Sequence, residues 1–218
     1  VHNSRKEPDK VMAPVGRIVR YNLQERIVHA AAGVSYVYLL LTGLAFWTPA
    51  LYWLAIVLGG GYLSRLLHPW IGLIFTGVLL VMWAAWRREM RTMPEDREWR
   101  KHIVDYMTNN DVRVPPAGRF NYGQKQFFWL MVIAMWALLV SGVVLWGIAS
   151  VPGEMAWLRS SAILIHSVAA LATVGGFIVH LYMGIAVVPG GLSAIVRGEV
   201  SSEWARQHHP LWKTPPRT

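Results

Sequence analysis

Four stretches of the chain are apolar throughout and contain no Asp, Glu, Lys or Arg: Ile27–Trp47, Leu66–Trp86, Gln126–Ala149 and Ser160–Val188. A bilayer crossing takes about 20 apolar residues, and each stretch reaches that length. Lipid cannot satisfy free backbone N–H and C=O groups, so each stretch is predicted to be helical. A fifth apolar stretch, Pro49–Leu63, is short and contains three successive glycines. It reads as an interfacial segment outside the membrane core. The pattern predicts an all-α membrane protein, a four-transmembrane-helix bundle over residues 26–190. A polar N-terminal segment, 1–25, precedes it and a polar tail, 191–218, follows it.

The 218 residues carry a net charge of +9. In a soluble protein that excess would suggest nucleic acid; here the placement of the charges decides otherwise. Six Lys or Arg precede the first span, one lies between the first and second, nine between the second and third, one between the third and fourth, and four after the fourth. Nineteen thus fall on one side and two on the other. The positive-inside rule then puts both termini in the cytoplasm. The chain has no cysteine, which excludes covalent c-type haem, protein-ligated iron–sulfur clusters, thiolate zinc and disulfides within it. Its opening residues show no cleavable-signal pattern.

Of eight histidines, His2, His102, His208 and His209 lie in charged segments, and His29, His68, His166 and His180 lie in the spans. Ionisable groups inside a membrane are costly and are functional candidates by default. The topology puts His29 and His180 toward the cytoplasmic face, and His68 and His166 toward the external face. Fourteen residues separate His166 from His180, about 21 Å along a helix and within roughly 40° of the same side. Two cofactors stacked across the membrane, each held by two neutral imidazoles, need this arrangement. Haem iron with two axial histidines has no open position, so such a site carries electrons rather than making bonds. A small residue follows each histidine by four positions, on its own face: Gly33, Gly72, Ala170 and Gly184. Such residues give a flat ring room, and they equally serve helix packing. Two histidines make a poor zinc site, and the spans offer no carboxylate for one or for a proton relay.

The loop before the third span reads AGRFNYGQKQFF, Ala117–Phe128. Asn121 and Gln124 offer neutral hydrogen-bonding groups, Gly123 a close backbone turn, and four aromatic rings flat walls. That mixture suits a ring with two carbonyls, such as a quinone. The same residues also suit a plain turn and helix N-cap. In the tail, His208-His209 reads as a solvated or partner-contacting pair ahead of a metal site. Arg26, Arg65 and Arg159 could neutralise haem propionates or mark the membrane surface.

The segments ERIVHA, TGLAFW, RLLHPWIG, RFNYGQKQFFW, LIHSVAALATVGGFIVHLYMG and GEVSSEWARQHHPLWK together resemble the gamma subunit, the dihaem cytochrome b subunit, of membrane-bound respiratory formate dehydrogenase. The similarity runs from about Arg26 to Lys213; the residues before it show no clear match. The histidine pattern alone also suits dihaem b subunits of hydrogenase and thiosulfate-reductase type, and a haem-free membrane anchor is the reading from a different class. The resemblance implies two b-type haems, one on His68 and His166 near the periplasm and one on His29 and His180 near the cytoplasm. It implies a quinone, menaquinone or ubiquinone, beside Asn121, Gly123 and Gln124. It also implies a periplasmic iron–sulfur beta subunit as donor, a molybdenum or tungsten alpha subunit behind it, and a place in the bacterial inner membrane.

Overall fold

The computed structural model describes residues 16–108, 110 and 113–212. The expected N-terminal segment therefore lies mostly outside the described residues, as does the end of the tail. Four helices are long and apolar enough to cross a membrane, and the chain is a multi-pass membrane protein. They are α1 (Leu23–Trp47), α3 (Gly61–Trp86), α6 (Tyr122–Trp146) and α7 (Ala156–Tyr182). Short helices fill the connections: α2 (Trp53–Val57) between α1 and α3, and α4 (Glu95–Lys101) and α5 (Ile103–Met107) between α3 and α6. The tail holds α8 (Gly191–Arg197) and α9 (Ser202–His208).

Helices α1 and α6 start before their apolar stretches because polar side chains cap them. Asn22 and Glu25 form a reciprocal capping box at the start of α1, and Asn121 and Gln124 form one at the start of α6. Each box satisfies two backbone N–H groups that would otherwise lack partners at a helix end. Gly59 and Gly60, with φ of 96° and 100°, turn the chain into α3, which therefore begins five residues before its apolar stretch. Pro69 follows His68 inside α3 and leaves the Arg65 carbonyl without its helical donor. After Tyr182 the fourth span ends in a π-helical turn, Met183–Val187.

Alternating directions make a four-helix ring: α1 packs on α3, α3 on α6, α6 on α7, and α7 touches α1. Its centre holds Ala32, Tyr36, Phe75, Leu79, Met131 and Met135, with Phe177 against them. Large apolar side chains such as Val34, Ile133, Val140 and Ile178 stay exposed around the outside, as a lipid-facing surface requires. One end of the ring carries only the short loops 48–60 and 147–155. The other end is capped by 16–22, 87–108, 113–121 and 188–212.

The cap adds a feature that the hydrophobic pattern did not predict, a two-stranded antiparallel ribbon of β1 (Arg17–Val19) and β2 (Glu199–Ser201). Arg20 and Arg119 exchange side-chain-to-carbonyl hydrogen bonds at 3.0 and 2.7 Å, and Arg119 also pairs with Glu25 at 2.7 Å and Glu89 at 3.0 Å. The buried Lys125–Asp96 pair, at 2.7 Å, ties α4 to the first turn of α6.

Candidate functional site

Two histidine pairs face each other inside the ring, one near each end. His29 of α1 and His180 of α7 lie near the capped end with ring centroids 6.0 Å apart. His68 of α3 and His166 of α7 lie toward the short-loop end with centroids 6.5 Å apart. The metal–imidazole bond is about 2.0–2.1 Å. Two such bonds on opposite sides of one ion, with each ring centre roughly 1 Å further out, give about 6–6.5 Å between centroids. Both pairs match that span, and neither pair is close enough for a direct ring-to-ring hydrogen bond. Among the described residues no cluster of three or more His, Cys, Asp or Glu could hold a metal, so two-ligand sites completed by a macrocycle are the arrangement that fits.

The backbone beside three of the histidines supports the fit. Nothing lies within 4 Å of where a Cβ would stand at Gly33, Gly72 and Gly184. A flat ring can come close to α1, α3 and the π turn at those points. Gly176, one turn before His180, does the opposite job. A Cβ there would meet Leu130 at 2.7 Å and Phe127 at 3.3 Å, so glycine lets α6 press onto α7. That contact stacks Phe127 on His180, centroids 4.6 Å apart and planes 8° from parallel.

The pair at the short-loop end is held differently. Thr42 Oγ1 of α1 lies 2.6 Å from His68 Nδ1, and Ser141 Oγ of α6 lies 3.0 Å from His166 Nδ1. Neither hydroxyl was singled out in the sequence; each stands directly before a glycine, as Thr42-Gly43 and Ser141-Gly142, and that repeated dipeptide is the signal that could have found them. Between the two levels sits a third layer. Thr173 is seven residues from both His166 and His180, and Tyr36 is seven from His29, so they share the histidines' faces. The Tyr36 hydroxyl bonds Thr173 Oγ1 at 3.2 Å, and its ring packs on Phe177 at 4.8 Å.

Asn121, Gly123 and Gln124 come together at the start of α6. The Asn121 Oδ1 accepts from the Gln124 N–H and the Gln124 Oε1 from the Asn121 N–H, both at 3.0 Å. The helix-cap role anticipated from the sequence is thus present. A Cβ at Gly123 would stand 3.7 Å from Trp99, within ordinary contact. A pocket beside this turn is lined by Trp99, Tyr106, Pro115, Pro116, Asn121 and His208.

His208 and His209 do not form a solvated pair. His208 stacks on Trp204 with centroids 4.7 Å apart. His209 is buried and donates from Nδ1 to the Gly118 carbonyl at 2.6 Å. Burial, reinforced by the nearby Arg20 charge, pushes its pKa down to about 3. Arg26 spends its guanidinium on the carbonyls of Ile195 and Val196 at the end of α8. Arg65 stays exposed. Arg159 bonds the Val151 carbonyl, while its buried Nε has no partner.

Comparison with known proteins fits this arrangement. The prokaryotic cytochrome b561 family matches residues 20–198. The cytochrome b556(fdo) subunit of formate dehydrogenase from Escherichia coli is 34% identical over 195 residues, covering 89% of this chain and 91% of that one. The formate dehydrogenase cytochrome b556 subunit of Haemophilus influenzae is 33% identical over 204 residues, 90% and 82% of the two chains. The nitrate-inducible cytochrome b556(Fdn) subunit of Escherichia coli formate dehydrogenase is 29% identical over 195 residues, 89% of each. This multi-pass chain, with histidines paired across its helices, belongs to the prokaryotic cytochrome b561 family, alongside the formate dehydrogenase cytochrome b556 subunits, and that membership implies haem b.

Proposed function

We propose that the chain is the membrane-anchoring dihaem cytochrome b subunit of a respiratory formate dehydrogenase complex. It takes electrons from a periplasmic iron–sulfur subunit, fed by a molybdenum or tungsten catalytic subunit, and delivers them to quinone near the cytoplasmic face of the inner membrane. The observation that carries this reading is the presence of two histidine pairs, at 6.0 and 6.5 Å, near opposite ends of one bundle. Haem b, when bound, supplies one-electron transfer at each pair. His68 and His166 would hold the group near the periplasm, and His29 and His180 the group near the cytoplasm. Held by two neutral imidazoles, each group would carry electrons rather than bind oxygen or substrate. The capped end, which holds nearly all the Lys and Arg, is the cytoplasmic one by the positive-inside rule, so both termini and the 191–218 tail lie there. The bundle of residues 26–190 is the electron-carrying domain.

Quinone belongs beside Asn121, Gly123 and Gln124 at the cytoplasmic end. The capping box uses the carbonyl oxygens of Asn121 and Gln124. Both side-chain NH2 groups therefore remain to donate to a quinone carbonyl. Trp99 and Tyr106 supply flat walls in the pocket that Asn121 lines. Phe127, on the same helix, reaches His180, so the pocket and the inner histidine pair are linked through one rigid element.

The deciding experiment is a pyridine haemochrome assay on the purified protein, repeated on His68→Ala and His29→Ala. Two b-type haems per chain are expected in the wild type and one in each variant. A folded wild-type protein without haem would leave a bare anchor and reject the reading.

A further inference from the structure

The two histidine pairs differ in what touches their outer nitrogens. Resting on the dihaem reading above, we propose that Thr42 and Ser141 are positioning residues that lower the reduction potential of the haem held by His68 and His166. Thr42 Oγ1 lies 2.8 Å from the Tyr38 carbonyl and 3.1 Å from that of Leu39, as well as 2.6 Å from His68 Nδ1. A hydroxyl has one proton, and a carbonyl can only accept. The proton therefore goes to the helix carbonyl, and the imidazole must be the donor to the hydroxyl oxygen. Ser141 repeats the pattern, 2.6 Å from the Ala137 carbonyl, 3.4 Å from that of Leu138 and 3.0 Å from His166 Nδ1, with the Leu138 carbonyl also facing the His166 ring. Both rings are thereby fixed with the proton on Nδ1 and a lone pair on Nε2 for iron.

The seat is built twice, on different helices. A Cβ at Gly43 would come within 3.9 Å of His68 Cε1, and one at Gly142 within 3.3 Å of His166 Cε1. Each dipeptide thus offers an acceptor to the ring nitrogen; at Gly142 the missing Cβ also clears the His166 ring carbon, whereas at Gly43 a Cβ would only make ordinary contact. At the other end no such seat exists. Among the described residues neither the His29 nor the His180 ring makes a side-chain hydrogen bond, and His180 stacks on Phe127 instead.

An axial imidazole that donates Nδ1–H to an acceptor becomes a more basic ligand. A more basic ligand favours ferric over ferrous iron, and hydrogen bonding to axial ligands is one of the levers on haem potential. When ferric iron takes up its one electron, the Nδ1–H bond stays intact, so the effect is electronic and needs no proton release. The two hydrogen bonds thus set the outer potential lower than it would be without them, a shift in the direction that favours passing electrons on to the inner site.

The test is a spectroscopic redox titration of the purified haem-loaded protein, comparing the wild type with Thr42→Val, Ser141→Ala and Thr42→Ser. The outer wave is the one that His68→Ala removes. Thr42→Val and Ser141→Ala are each expected to move the outer wave to more positive potential and leave the inner wave in place; Thr42→Ser, which keeps the acceptor, should titrate like the wild type. An outer wave unmoved in both variants, or equal shifts of both waves, overturns the proposal. Loss of the outer haem from both variants also overturns it, because the hydroxyls would then hold the site together rather than tune it. A wild-type protein without two haems is a different failure, that of the dihaem reading itself.

Discussion

At His209 the fold takes a titratable ring out of water and ties it to the backbone of a distant loop. Its Nδ1–H donates to the Gly118 carbonyl, and burial with the Arg20 charge beside it holds the pKa at about 3. An unconstrained histidine titrates near 6.5. Below that pH the opened tail takes up a proton that the docked tail refuses. The stabilisation from His209 is therefore complete above about pH 6.5 and declines as the pH falls toward 3. The loop 117–118 is held by the tail at a second point, the Leu211 N–H to the Ala117 carbonyl at 3.0 Å, so opening one loosens the approach to Asn121. Hydrogen-exchange protection factors of residues 199–212 in detergent, corrected for intrinsic exchange at each pH, should be higher at pH 7.5 than at pH 5. His209→Gln should flatten that difference. Equal protection of the wild-type tail at both pH values would show that this ring is not what holds it.

The α6–α7 contact is where an element-scale feature meets the site. Lipid is as apolar as the helix surfaces, so helices associate in it through close packing and polar contacts, and small residues let backbones approach. Gly176 does this beneath Phe127 and Leu130. Gly176→Leu forces side chains into space already filled, at a cost of roughly 1–3 kcal/mol for overpacking. It also pushes Phe127 away from His180. The expected outcome is a lower melting temperature and loss or spectral change of the inner haem, with the outer haem retained; an unchanged inner spectrum would mean that the Phe127 stack does not position His180. The elements themselves were legible in the sequence, because uncharged apolar runs of bilayer length have few other solutions. The pairing of His29 with His180 and His68 with His166 was also legible, since alternating helix direction converts chain position into depth. Thr42 and Ser141 were not, because which hydroxyl meets which ring depends on how α1 crosses α3 and how α6 crosses α7. Phe127 was noted only as an apolar wall of the loop, and its stack on His180 depends on the same kind of crossing. The β1–β2 ribbon was equally hidden, being three residues a side joined across most of the chain. Asn121 and Gln124 were readable as a helix cap, which the structure has, and the proposed quinone contact would use the amide groups that the cap leaves over.

At the scale of the whole molecule, the distribution of charge and the histidine pairs define a direction. Nineteen of the 21 Lys and Arg lie, along the sequence, before the first span, between the second and third, or after the fourth, which sets the capped end in the cytoplasm on the reading above. Electrons entering by His68 and His166 and leaving by His29 and His180 then move toward the negative side of an energised membrane. Each pays about 2.3 kcal/mol per 100 mV for the full crossing. The described spans contain no acidic or basic side chain between the two histidine levels through which a proton could accompany the electron and cancel that charge movement. On the proposed direction of flow, turnover generates potential and is slowed by it. In proteoliposomes holding the complete complex, with formate outside and quinone in the membrane, quinol formation should start fast and slow as the lumen becomes negative. Valinomycin with potassium, which collapses the potential, should restore the initial rate. A rate indifferent to the ionophore would mean that the electron does not cross the field, and that quinone meets the chain on the same side as its donor.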